Sequence, residues 1–138
     1  MSVLGLSLLA VLLWGMAPLF EKSALARTTP LVALTIRSLV MAAAYVGAAV
    51  AMGTGGELLR VDGRSLGYII LSAIIGGVAG LFVYFHALKL GDAAVVVPIT
   101  ATYPLVTALF AVLFLGEPLT PSRILGALLI VAGVYFVR

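Results

Sequence analysis

Arg37 sits in the run Leu34-Thr35-Ile36-Arg37-Ser38-Leu39-Val40-Met41, a cation with apolar neighbours on either side. Seven residues past Pro30, it lies on the order of 10 Å along a helix from that proline. Placing an arginine centrally in a bilayer costs roughly 3 kcal/mol, against a return of ~0.3 to 0.6 kcal/mol for each Leu, Ile or Val. Residues 31 to 50 hold eight of those residues, so the segment is close to marginal if Arg37 faces lipid. A cavity or a polar partner removes that difficulty, and the chemistry expected of Arg37 is contact with an anionic group of a small molecule. The structural alternative is a side chain that snorkels or ties down free carbonyls at a helix break.

A second set of chemically able residues lies in Val97-Pro98-Ile99-Thr100-Ala101-Thr102-Tyr103-Pro104. Pro98 and Pro104 remove backbone hydrogen bonds and predict kinks. Thr100, Tyr103 and Thr107 follow i, i+3, i+7 spacing and place a hydroxyl stripe beside those kinks, as expected of a cavity wall. The same hydroxyls can instead satisfy carbonyls freed by proline, and both readings hold together. Counting back from Lys22 and Lys89 puts Trp14 and Tyr84 in the same half of the membrane. Trp14, Arg37, Tyr84, Thr100 and Tyr103 are therefore expected at one depth as substrate-binding candidates, with Thr107 a turn beyond. Tyr45, Tyr68 and Tyr135 read as interfacial belt residues, and His86 as a residue near a membrane edge.

Several chemistries are excluded. The chain has no cysteine and one histidine, which argues against disulfides, thiolate ligands and an all-protein metal site. No phosphate loop and no acid, base and nucleophile constellation is present, so no catalytic residue, no enzyme activity and no cofactor are expected. Glu21, Asp92 and Glu117 fall at predicted helix ends and Glu57 and Asp62 in a loop, which speaks against proton antiport through a buried acid, with Glu21 the nearest candidate.

The elements that position these residues follow from composition. Of 138 residues, 64% are hydrophobic and 9% charged, with a mean hydropathy of +1.29, so the solvent of the fold is lipid. Apolar runs of about the ~20 residues a span requires fall at 3 to 22, 30 to 52, 65 to 88, 93 to 115 and 120 to 137. The fold class is an all-α membrane protein, one domain over 1–138, with five helices joined by short breaks as sequential hairpins. Gly76 and Gly80 in the third span, and Gly126 and Gly133 in the fifth, predict faces of close helix packing.

The net charge of +3 is scattered over loops and carries no nucleic-acid footprint. Arg60, Arg64 and Arg123 fall on the side of the N-terminus and Lys22, Arg27, Lys89 and Arg138 on the other, a balance of three against four that does not select one orientation. Insertion both ways round is one expectation, and a single orientation set by a neighbour the other. The first apolar run shows neither a cleavage site nor Arg-rich amphipathic character, so it is expected to be a retained span in a cell inner (plasma) membrane.

Trp14-Gly15 with Lys22 in the first helix, Arg37 in the second, Ala87-Leu88 before Ala93, then Pro98, Tyr103-Pro104, Gly116-Glu117 and Gly126 through Gly133 resemble, in order and spacing, one EamA domain of the drug/metabolite transporter superfamily. The resemblance covers essentially the whole chain. It implies a secondary transporter, with export the more common direction, of small organic metabolites. Larger relatives carry two such domains in inverted orientation, so a half-sized chain is expected to pair as a homodimer or with another half-sized subunit, antiparallel if both orientations insert. The chain also resembles the small multidrug resistance proteins more distantly, but has a fifth helix and lacks their deep glutamate in the first. The rival expectation is a non-transporting membrane subunit of a hetero-oligomeric transporter or enzyme complex.

Overall fold

The computed structural model describes residues 2–118 and 120–137, with the side chains of 123 and 137 left aside. Arg138, and the side chain of Arg123, both counted in the charge balance, lie outside the described residues. Every regular element among the described residues is a helix: α1 (Val3–Leu25), α2 (Pro30–Ala51), the single turn α3 (Gly55–Leu58), α4 (Gly63–Ser72), a π segment (Ala73–Gly80), α5 (Leu81–Leu90), α6 (Ala93–Thr100), α7 (Tyr103–Leu115) and α8 (Pro121–Val137). Val3–Leu25, Pro30–Ala51, Gly63–Leu90 and Ala93–Leu115 are long and apolar enough to cross a membrane, and Ile124–Phe136 is a shorter apolar helix.

Local chemistry sets the ends. The Ser2 side chain accepts from the Gly5 amide at 3.2 Å, and the Thr29 side chain from the Val32 amide at 3.3 Å, with Pro30 pre-set in the first turn of α2. Asp62 Oδ1 accepts from the amides of Arg64 and Ser65 at 3.1 and 3.0 Å at the start of α4. The Ser65 side chain, and then its amide, hold the Asp62 carboxyl below its ordinary range. Gly53 and Gly116, with φ of +70° and +66°, end α2 and α7 in the left-handed conformation that glycine adopts without a Cβ clash.

Three features differ from the sequence reading. The first helix runs to Leu25, three residues past the expected end, because Lys-Ser-Ala-Leu-Ala contains no helix breaker before Thr29-Pro30. Glu21 therefore lies inside α1, a full turn from its end, rather than at a terminus. The third span is interrupted by the π segment, where a Cβ on Gly80 would lie 3.2 Å from the Ile75 carbonyl oxygen, a tight approach that glycine avoids. The fourth span is two helices, because Pro104 forces a turn at Ala101 and Thr102.

Contacts divide the chain into two compact units, Met1–Lys89 and Leu90–Arg138. In the first, the buried apolar residues Leu25, Leu34, Phe85 and Leu88 form a small core where α1, α2 and α5 meet. Two lysines tie that corner together. Lys22 Nζ donates to the Leu88 carbonyl at 2.8 Å, and Lys89 Nζ donates to the Thr28 carbonyl at 2.6 Å. Lys22 thus meets a carbonyl in the last turn of α5, where the peptide dipoles favour positive charge, and Lys89 a carbonyl of the loop between α1 and α2. In the second unit α6 and α8 are in contact. Most large apolar side chains of both units are exposed, Leu59, Leu90, Val3 and Phe136 at 83% or more. A surface of this kind is stable only against lipid or further protein.

Candidate functional site

Glu21 and Lys22 are successive residues on α1, so their side chains leave the helix about 100° apart. Lys22 turns to the end of α5, whereas Glu21 meets α2. Its Oε1 lies 3.5 Å from Arg37 Nε, with side-chain exposures of 13% for Glu21 and 36% for Arg37. The α5 helix closes the arrangement from a third direction. The Arg37 guanidinium carbon sits 5.9 Å from the centroid of the buried Phe85 ring, within cation–π reach, and the half-buried Tyr84 hydroxyl lies beside the Glu21 carboxylate.

These groups open on a groove of about 290 Å³, with Glu21 and Arg37 set among Phe20, Ala33, Ile36 and Phe85. Glu21 and Arg37 are the only charged side chains in its lining among the described residues. The surface that these residues turn to the groove is nearly all apolar, so Glu21 and Arg37 line it through their carbon atoms while their charged ends meet each other. Such a surface suits the apolar part of a ligand or a lipid chain.

The expected candidates distribute as follows. Arg37 and Tyr84 come together, joined through Glu21. Trp14 lies on the same face of α1 as Glu21 but two turns away, about 10 Å along the axis, and is 71% exposed. Thr100, Tyr103 and Thr107 belong to the second unit. Thr100 donates to the Val96 and Val97 carbonyls, both at 2.9 Å, and Thr107 to the Tyr103 carbonyl at 3.3 Å, so these hydroxyl protons are used within their own helices. Tyr103 and Thr107 share a separate groove of about 370 Å³ with Pro104, Ala108, Ala111 and Glu117, and Thr100 is not in its lining. A Cβ at Gly76, Gly126 or Gly133 would meet nothing within 4 Å among the described residues. His86 Nδ1 is 2.9 Å from the Phe82 carbonyl of its own helix, and no group of three potential metal ligands occurs among the described residues.

Glu21 is the member of this cluster that the sequence reading undervalued. The available signal was the unbroken helix-forming run behind it, which moves the carboxylate inward by almost a turn. The ion pair itself required the packing of α1 on α2, which spacing along one chain does not encode.

Residues 1–138 match the EamA-like transporter family throughout. The chain belongs to that family. It is 34% identical over 127 residues to a protein of a Sinorhizobium species described as an uncharacterized transporter in the cobO 3' region, the match taking in 92% of this chain and 89% of the relative. It is 35% identical over 78 residues to an uncharacterized protein of Methanocaldococcus jannaschii, 56% of each chain. It is 32% identical over 125 residues to the aromatic amino acid exporter YddG of Ancylobacter novellus, 90% of this chain but only 42% of that longer protein. No solved structure matches significantly. Family and relatives, with the long apolar helices, identify a multi-pass membrane transporter of the drug/metabolite type rather than an enzyme.

Proposed function

We propose that this transporter exports small carboxylate-bearing organic metabolites across the cell inner membrane, as a dimer of half-sized protomers whose groove in the first unit receives the substrate at Arg37. The observation that carries this reading is the placement of Arg37. The Arg37 side chain, within the second span, is 36% exposed and lies in the wall of a groove instead of being sealed in the core. A cation held there by Glu21 and Phe85 is pre-oriented, so little side-chain entropy remains to be lost when a carboxylate docks.

The relatives support the direction and the pairing. The named exporter is matched over less than half its length, whereas the Sinorhizobium transporter is a chain of similar size to this one. A pair of such protomers supplies two repeats, and the balanced Lys/Arg distribution is compatible with inverted insertion. Trp14 in the first unit and, separately, Thr100, Tyr103 and Thr107 in the second are proposed substrate contacts of their own units, and Gly76, Gly126 and Gly133 proposed packing faces towards a partner protomer.

The deciding assay is substrate efflux from cells lacking their own exporters, with the intact protein and the Arg37→Ala variant at equal membrane abundance. Loss of a charge-assisted contact predicts a fall of roughly tenfold or more for carboxylated substrates. Unchanged efflux by the folded variant refutes the role of Arg37. Reporters active on one side only, fused separately at residues 1 and 138, test the pairing: signal on both sides for each end supports the antiparallel dimer, and a single orientation removes it.

A further inference from the structure

Two ammonium groups meet at the corner where α1 and α5 end. Lys22 and Lys89, with Leu25 and Ala26, line a pocket of about 350 Å³, and its lining contains no acidic side chain among the described residues. Both cations are oriented by neutral partners: Lys22 Nζ donates to the carbonyls of Leu88 and Lys89 at 2.8 and 3.4 Å, and Lys89 Nζ to that of Thr28 at 2.6 Å. A carbonyl fixes an ammonium without cancelling its unit charge, so two like charges remain in one pocket. The carbonyl oxygens that might repel an anion there already face a lysine. Arg27, exposed in the turn after α1, adds a third cation beside Ala26.

The place of the pocket says what kind of anion it meets. Leu25, Pro30 and Leu90 bound three of the apolar spans, so Lys22 and Lys89 lie at a membrane edge, in the headgroup layer rather than the hydrocarbon. Leu19 on α1 is three residues before Lys22, and Phe82 on α5 seven before Lys89, which puts each on the same helix face as its lysine but deeper in the membrane. Both side chains are exposed. Cations at the edge followed by apolar side chains further in match the polarity profile of a phospholipid, phosphate outward and acyl chains inward.

We propose that this corner is a binding site for an anionic phospholipid, its phosphate held between Lys22 and Lys89 and its chains laid along Leu19 and Phe82. Basic pockets between membrane helices suit such headgroups. A zwitterionic phosphatidylcholine is disfavoured, because its choline brings a positive charge to a corner that already holds three. The site is separate from the groove at Arg37, whose lining contains neither lysine, so lipid capture here stands or falls independently of the substrate contact.

The test is native mass spectrometry of the full chain purified in detergent, titrated with phosphatidylglycerol or phosphatidylcholine of identical acyl chains. The intact protein is expected to bind phosphatidylglycerol roughly tenfold or more tightly, because each basic residue near a headgroup adds several-fold. In the double variant Lys22→Gln, Lys89→Gln that preference should fall to about twofold or less, whereas Lys22→Arg, Lys89→Arg should keep it. Arg60→Gln with Arg64→Gln, beyond the far end of α2, should leave it unchanged. Equal affinity of the two lipids for the intact protein overturns the proposal even if the glutamine variant fails to fold. A preference that survives in the folded glutamine variant, or that is lost with Arg60 and Arg64, overturns it as well. Glycerol phosphate, the headgroup without its chains, separates the two sources of phosphate: it should not displace phosphatidylglycerol at equal concentration, and displacement would assign the pocket to a soluble phosphate compound and overturn the lipid.

Discussion

Separating Glu21 from Arg37 should have unequal consequences for the two partners, and their structure gives the sizes. At the observed 3.5 Å, two unit charges attract by about 5 kcal/mol at an effective dielectric constant of about 20. Most of that is offset by the water each group loses, leaving a net coupling of about 1 to 2 kcal/mol. An ordinary interhelical hydrogen bond in a bilayer couples by only about 0.6 kcal/mol. The asymmetry follows from exposure: Glu21 is 13% exposed and Arg37 36%. Glu21→Gln leaves a long cation that can turn toward water, whereas Arg37→Met leaves a short, largely covered carboxylate with only the Tyr84 hydroxyl beside it. Arg37→Met is therefore expected to cost more than Glu21→Gln, by about 1 kcal/mol. The assay is a double-mutant cycle on unfolding free energy in bicelles, with both single variants and the double variant. A coupling below about 0.3 kcal/mol, within the usual additivity error, or a larger loss for Glu21→Gln, refutes the description of this pair as a desolvated contact between α1 and α2.

The π segment and the start of α4 give two further tests. Gly77→Ala meets open space and gains helix propensity, whereas Gly80→Ala drives a methyl to 3.2 Å from the Ile75 carbonyl oxygen; Gly80→Ala should be the less stable of the two by about 1 kcal/mol, and equal thermal stability of the purified variants would show that the segment relaxes freely. Asp62 lies before the third span and its carboxyl titrates below the ordinary range because the side chain and amide of Ser65 favour the ionised form. The sign follows: its stabilisation of the α4 start is present above the unfolded carboxylate value and is lost as pH falls through the lower folded one. Amide exchange at Arg64 and Ser65, corrected for its intrinsic pH dependence, should lose protection on acidification in the intact protein, and Asp62→Ala should abolish that pH dependence; a flat profile in the intact protein refutes the cap.

Composition alone determined that this chain lives in lipid, because a 64% hydrophobic sequence has too few polar residues to cover a water-facing surface. Breaks at Pro30, Gly53, Asp62 and Gly116 likewise placed the helices to within a few residues, since proline, positive-φ glycine and capping side chains act on their immediate neighbours. Arg37 was legible as a residue that needs a polar partner for a similar reason: a charge among Leu, Ile and Val costs the same wherever the helix packs. The π segment and the divided fourth span were only half legible. Gly76, Gly77, Gly80 and Pro104 marked weak points in the ladder, but whether a weak point bends, widens or breaks depends on carbonyls and neighbours not adjacent in sequence. The partner of Arg37 was settled by tertiary structure alone. Glu21 and Arg37 are sixteen positions apart on different helices, and their meeting depends on the rotation of α1 against α2. That rotation is set by Leu25, Leu34, Phe85 and Leu88 at the corner and by the crossed bonds of Lys22 and Lys89. Such contacts are made by shape and distance in three dimensions, and a one-dimensional pattern of residue types does not contain them.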